Sequence, residues 1–285
     1  MSGWRKLGII AGGGDLPVVL AEHLAATQRQ YFVARIKPMA DLALERHPGV
    51  SLGLGAMGGR MDAMREAGCD AVVLIGQVAR PDLKTLELDD VARAMLPALI
   101  AAMPQGDDAL LRAVLAEHER AGFRVLGVDQ VMQDLLAPAG TLGAVAPSAA
   151  QMRDMAKAAK VAAMSGAFDI GQGVVVCDGL VLAVEAQEGT DAMLRRVAEL
   201  PTTIRGAAQA RRGVLVKRPK PIQERRIDLP TIGVRTIEGA AVAGLAGVAV
   251  EARGALMVRR DEIVASANRA GVFVYGFTPQ ELGEP

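Results

Sequence analysis

Apolar positions in the first 130 residues follow two rhythms. Leu7 to Ala11, Tyr31 to Ile36, Ser51 to Leu54, Ala71 to Gly76 and Phe123 to Val128 are short apolar runs, most of them bounded by Gly or polar turns, and they predict buried strands. Leu16–Ala26, Gly58–Ala67, Leu88–Met103 and Asp107–Ala121 alternate with them at helical spacing. This βα alternation predicts a mostly parallel, doubly wound, Rossmann-like sheet. The second half reads differently. Gly173–Asp178 and Leu180–Ala186 flank Asp178-Gly179, a hairpin signal. Helices are predicted over Ala149–Met164, Thr190–Glu199, Thr236–Leu245 and Asp261–Ala270, with strands at Val214–Lys217, Val248–Glu251 and Phe273–Phe277. The fold class is therefore α/β with two α/β domains. Residues 1–137 form the first and 149–285 the second, which has a mixed sheet and carries most of the candidate catalytic residues. Residues 138–148, rich in Pro, Gly and small side chains, form the linker.

Composition narrows the function classes. Aromatic residues are 3% of 285, and Lys+Arg and Asp+Glu are both 32, so neither a basic field nor stacking platforms are available for nucleic acid. Cys69 and Cys177 are far apart, outside any C-x-x-C, and are expected as buried free thiols in a reducing compartment. The apolar N-terminal stretch is broken by Gly12-Gly13-Gly14-Asp15 and Pro17, so no secretory signal is expected. No run approaches about 18 apolar residues. A cytoplasmic protein is expected. The three histidines, His23, His47 and His118, are unclustered, so zinc sites and Ser-His-Asp triads lack their parts. Any metal should have oxygen ligands, hence magnesium or manganese.

Candidate chemistry lies in four places. Gly12, Gly13, Gly14 and Asp15 sit at the first strand-to-helix junction, where backbone N–H groups and a helix start suit a phosphate; a ligand-free tight turn is the alternative. Pro17 stands where a dinucleotide fingerprint wants Gly or Ala, although Arg35 and Lys37 would suit an NADP phosphate. Gly76, Gln77 and Arg80 follow the fourth strand, at the end where open parallel sheets bind ligands. Asp107 or Asp108 is expected to cap the helix that follows them. In the second half, Glu185, Glu188 and Asp191 crowd one loop, which a cation would relieve, and Gly189 and Thr190 open a helix. A strand then delivers Lys217, and Pro219 and Pro221 force an extended path through Lys220 to Asp228, the isolated acid before Pro230. Cations there can neutralise a diphosphate, and Asp228 can hold a metal or accept a proton from water.

These residues together resemble the LpxI family of UDP-2,3-diacylglucosamine diphosphatases. The motifs are Ala11 to Pro17, Gly106-Asp107-Asp108, Asp169-Ile170-Gly171-Gln172-Gly173, Glu185 to Met193, and Lys217 through Gly233. Glu224 departs from the pattern, where Asp is expected. The resemblance implies two α/β domains holding a lipid-linked nucleotide sugar between them. It implies magnesium-supported attack of water on the α-phosphorus, giving UMP and 2,3-diacylglucosamine 1-phosphate (lipid X), and it matches the essential aspartate to Asp228. The expected catalytic residues are Asp228, Lys217 and Lys220. The expected metal ligands are Asp228, Glu185, Glu188 and Asp191. Gly12, Gly13, Gly14, Asp15, Gly76, Gln77, Gly189, Thr190, Gln223 and Arg226 are expected to touch substrate. Peripheral contact with the inner membrane surface and homo-oligomerisation are compatible with this reading. A non-catalytic nucleotide-sugar-binding protein is the competing function, and an NADP-dependent oxidoreductase a third.

Overall fold

The computed structural model describes residues 3–79 and 86–283. Arg80, placed near the ligand by the sequence reading, lies outside the described residues. The chain divides into two compact units, Met1–Gln133 with Glu224–Asp228, and Asp134–Gln223 with Leu229–Pro285.

The first unit runs β1 (Leu7–Ala11), α1 (Asp15–Ala26), β2 (Tyr31–Lys37), β3 (Gly49–Gly53), α2 (Met57–Glu66), β4 (Ala71–Ile75), α3 (Asp90–Ala102), α4 (Asp107–Arg120), β5 (Arg124–Val125) and α5 (Val128–Val131). Its five strands are all parallel, in the order β3-β2-β1-β4-β5. β1 is buried at every position, as a central strand covered on both faces must be. The apolar run 123–128 yields only two strand residues. Gly127 starts α5 directly after it, ending the ladder. One face of the sheet packs on Met57, Met61 and Met64 of α2, and Ile227 joins this core from far along the chain.

Glu224–Asp228 thus forms a strap on the first unit. Glu224 N–H donates to Asp108 Oδ1 at 2.6 Å, and Arg226 donates to Glu119 at 2.6 Å and to Glu224 at 3.0 Å. The strap passes so near Gly127 that a Cβ there would lie 3.3 Å from the Arg226 Cα.

The second unit comprises β6 (Gly140–Leu142), α6 (Ala149–Ala167), β7 (Gly173–Cys177), β8 (Leu180–Val184), α7 (Gly189–Glu199), β9 (Val214–Lys217), β10 (Thr231–Ile232), α8 (Val234–Val242), β11 (Gly247–Glu251), β12 (Leu256–Met257), α9 (Arg260–Ala270) and β13 (Phe273–Phe277). Its mixed sheet has the order β6-β13-β11-β9-β7-β8, with β9, β11 and β13 parallel. β7 and β8 form the expected hairpin, with Asp178 and Gly179 at φ 49° and 78°. Side chains alternate between faces with period two. Val174, Val176, Val214 and Val216 meet the alanine-rich face of α6, while Val175, Leu215, Val248 and Val250 meet α7, α8 and α9. Alanines 158, 159 and 162 let α6 lie close on the sheet.

The stretch expected as a linker, 138–148, contains β6, which pairs antiparallel with β13. Its small residues serve a close approach rather than a free tether. A Cβ on Gly276 of β13 would lie 1.8 Å from the Pro138 carbonyl oxygen. No helix among the described residues is long and apolar enough to cross a membrane.

Candidate functional site

In the first unit the glycine turn leaves the C-terminal end of β1 and meets the chain leaving β4. Gly12 N–H donates to the Ile75 carbonyl at 2.9 Å, and Gly13 and Gln77 exchange two backbone bonds at 2.8 and 2.9 Å. A Cβ on Gly12 would sit 2.5 Å from the Gln77 oxygen, and one on Gly76 2.8 Å from the Gly13 oxygen. Gly12, Gly13 and Gly76 are thus needed for backbone packing, and the Gly12 and Gly13 N–H groups are already used. Gly14, at φ 87° before α1, faces open space, and no side chain caps that helix. Gly13, Gly14, Met39, Gln77, Val78 and Ala79 line an open depression of about 540 Å³. Asp15 stands exposed in the first turn of α1, where a carboxylate interacts favourably with the positive helix end and would compete with an anion.

Arg35, considered for an NADP phosphate, is buried in β2. It donates to Ser51 Oγ at 2.7 Å and to the Leu44 and His47 carbonyls at 2.9 and 3.1 Å. Its guanidinium holds the β2–β3 connection and does not face a ligand. His47 and His118 are likewise buried, His47 bonded to the Tyr31 hydroxyl and His118 to the Val114 carbonyl, and burial pushes both imidazoles below their ordinary pKa. No side chain caps α4, contrary to the expectation for Asp107 and Asp108. Asp108 instead accepts from the Glu224 amide and from Arg112, because Gly106 at φ 108° turns the chain into the helix without a capping side chain. Arg226, expected on substrate, holds the strap, and its partners Glu224 and Glu119 raise its pKa. Asp228 ends that strap half-buried, its amide donating to the Glu224 carbonyl at 3.2 Å.

In the second unit, three separate motifs come together where β9 and β8 end. Lys217, the last residue of β9, is about 5% exposed and donates to Thr190 Oγ1 at 2.6 Å. Thr190 in turn donates to Glu185 Oε1 at 2.7 Å, and the direct Lys217–Glu185 separation is 3.9 Å. The other Glu185 oxygen, Oε2, is buried without a partner, and a Cβ on Gly173 would lie 2.5 Å from it. Gly171 lets the chain cross Glu185, since a Cβ there would overlap the Glu185 carbonyl at 2.0 Å. Lys220 pairs with Asp169 at 2.5 Å, both about 11% exposed. Gln223 accepts from the Lys220 amide at 2.9 Å and reaches Gln172 at 3.3 Å. Arg218 pairs with Glu251 at 3.0 Å, tying the ends of β9 and β11. Helices α7 and α8 both start at this end of the sheet, α7 without a side-chain cap at Glu188 and α8 with the Gly233 amide donating to Thr236 Oγ1 at 3.4 Å.

The structure separates the three carboxylates expected to crowd one loop. Glu188 pairs with Arg196 at 2.5 Å, and its own amide together with that arginine holds its carboxyl below the usual value. Asp191 pairs with Arg235. Among the described residues no group of three or more His, Cys, Asp and Glu is set to hold a metal ion. Each acid meets its own neighbour: Glu185 meets Thr190 and Lys217, Glu188 meets Arg196 and Asp191 meets Arg235. Asp169, Gln172, Arg218 and Glu251 were not picked out as site residues from spacing. Asp169 and Gln172 lie in a quoted motif, whereas the pairing of Arg218 with Glu251 depends on the β9–β11 register and leaves no trace in sequence.

Fold and site define a two-unit α/β protein whose buried charges gather where its parallel strands end. Residues 6–135 match the family description "LpxI N-terminal domain" and residues 138–275 match "LpxI C-terminal domain". A protein of Caulobacter vibrioides named UDP-2,3-diacylglucosamine pyrophosphatase LpxI is 54% identical over 277 residues, covering 97% of this chain and 99% of that protein. The chain belongs to the LpxI family. The solved structure of CobK precorrin-6A reductase overlaps 96% of this chain and 90% of its own at 12% identity, but with a TM-score of 0.34, too low to support any inference.

Proposed function

We propose that this protein hydrolyses UDP-2,3-diacylglucosamine to UMP and 2,3-diacylglucosamine 1-phosphate, a step of lipid A biosynthesis. The carrying observation is end-to-end similarity to a pyrophosphatase of that name, 54% identical. The polar cluster at the β9 end supports it chemically. A diphosphate brings negative charge to the reacting centre, and cations fixed before the substrate arrives stabilise the transition state without reorganising. Lys217 is fixed through Thr190, and Lys220 through Asp169. The start of α7, which has no side-chain cap, adds N–H donors to phosphate oxygens.

In this reading water adds to the α-phosphorus and the bridging P–O bond breaks. The bridging oxygen leaves with the sugar phosphate. Asp228 orients the water and takes its proton. Magnesium normally binds through one or two carboxylates, with waters and substrate phosphates completing its shell. The unpartnered Glu185 Oε2 fits such a role, while Glu188 and Asp191 already have arginines. Bound there, the ion would neutralise diphosphate charge. The acylated substrate also implies work at the cytoplasmic surface of the inner membrane.

Hydrolysis in heavy-oxygen water tests the scheme, with magnesium or EDTA and with wild type or Asp228→Ala. Label in UMP, lost with EDTA and lost with the variant, is expected. Label in the sugar phosphate would reverse the direction of attack, and substrate binding without turnover by the wild type would make this a binding protein.

A further inference from the structure

The solvent face of α6 carries charges and apolar groups in an order that the core does not require. Arg153, Lys157, Lys160 and Met164 recur at spacings of four, three and four, so they share one exposed stripe of the helix. The helix then ends in a turn that leaves Phe168 80% exposed, with Met164 at 62% and Ile170 at 46%. The turn is fixed: the Phe168 and Ile170 amides both donate to the Ser165 carbonyl, and Asp169 adopts a φ of 56°. A phenylalanine held four-fifths exposed by an ordered turn contributes little burial to its own unit.

The charge on this face is one-sided. The single acid of α6, Asp154, is buried and accepts the Asp178 and Gly179 amides at 2.9 and 2.7 Å. Asp178 is matched by Arg212 and Asp169 by Lys220. The exposed stripe is therefore basic along its length and apolar at its end. The apolar end adjoins the lysine cluster: Gly166 of the last turn packs on Lys220, where its Cβ would lie 3.1 Å from the Lys220 Cα.

We infer that the Arg153–Ile170 face of α6 docks on an anionic lipid surface, with the cations over the headgroups and Met164, Phe168 and Ile170 in the acyl boundary. A basic stripe with an apolar end is the pattern of interfacial membrane binding. The inference rests on the proposed function only for its purpose, which is to bring an acylated substrate beside Lys220 without full extraction into water.

The test is sedimentation of the full chain with vesicles of phosphatidylcholine alone or with phosphatidylglycerol, at low and high salt. Wild type should bind only the anionic vesicles and release at high salt. Arg153→Gln/Lys160→Gln should lower the partition about 30-fold, at about 1 kcal/mol per cation. Phe168→Ser should lower it roughly tenfold or more. Both variants should hydrolyse detergent-dispersed UDP-2,3-diacylglucosamine at the wild-type rate, which shows that they fold. Absent binding by wild type, or binding unchanged in both variants, overturns the inference. Self-association that Phe168→Ser abolishes, without vesicle binding, overturns it in favour of a contact between copies. Vesicle binding as described with no hydrolysis by wild type would refute the proposed reaction and leave the docking face intact.

Discussion

Replacing Lys217 with methionine removes one end of a buried charge relay. Lys217 and Glu185 are about 5% and 8% exposed, and they are joined through Thr190 by bonds of 2.6 and 2.7 Å. The variant leaves the Glu185 carboxylate buried with one hydroxyl partner, since its second oxygen already has none. Breaking a buried pair in this way costs about 3–5 kcal/mol. At roughly 2–4 °C per kcal/mol, the melting transition of the second unit should fall by roughly 6–20 °C. Removing both charges, as Lys217→Met with Glu185→Leu, should return stability to within about 1 kcal/mol of wild type, because an apolar pair of similar volume needs no desolvated ions. The coupling energy of the cycle should then exceed about 2 kcal/mol, the Lys217→Met loss less the residual loss of the double variant, with the Glu185→Leu loss adding to it, read by urea denaturation of the four proteins. Activity should remain absent in the stable double variant. Additive losses, or a single-variant loss under about 1 kcal/mol, would show that the relay is not a coupled unit.

Two further outcomes follow from the first unit. The Arg226 hydrogen bonds hold the Glu224 carboxyl below its ordinary value, so its stabilisation is present above about pH 4.5 and is lost as pH falls through the lowered value. Glu224→Gln should therefore be less stable than wild type at pH 6, with the gap closing between pH 5 and 3 in denaturation profiles; a constant gap would contradict the assignment. Gly12→Ala must push a Cβ into the Gln77 carbonyl at 2.5 Å, whereas Gly14→Ala meets open space and suffers only the strain of φ 87°, about 1–3 kcal/mol. Gly12→Ala should be the more destabilising of the two by thermal melting, and equal shifts would mean that the turn relaxes away from Gln77.

Much of the architecture could be read from periodicity. The buried parallel strands of the first unit are continuous apolar runs, and the hairpin at Asp178-Gly179 announces itself by turn chemistry. β10 and β12 could not be read, because two residues have no period. β6 was hidden for a related reason: Pro138 and Ala139, just before it, pack against Gly276, and small residues that permit close approach look like those of a tether. At the site, Lys217, Thr190 and Glu185 were all picked out, but as a cation, a substrate contact and a metal ligand rather than as one relay. Their connection depends on the placement of α7 across the end of β9. Glu188 and Asp191 were misjudged as a cluster, since sequence proximity says nothing of the arginines that α7 and α8 bring to them.

The strap also bears on how such a chain is inherited and cut. The two family matches meet near residue 136, which suggests two modules joined end to end. Yet Glu224–Asp228, supplied by the second module in sequence, folds on the first. A gene split or recombination at residue 136 would leave the N-terminal piece with a gap beside its methionine core where Ile227 belongs. The C-terminal piece would carry an unanchored loop ending in Asp228. The modules are therefore bound to evolve as a pair, and independent shuffling of either would forfeit the setting of the aspartate.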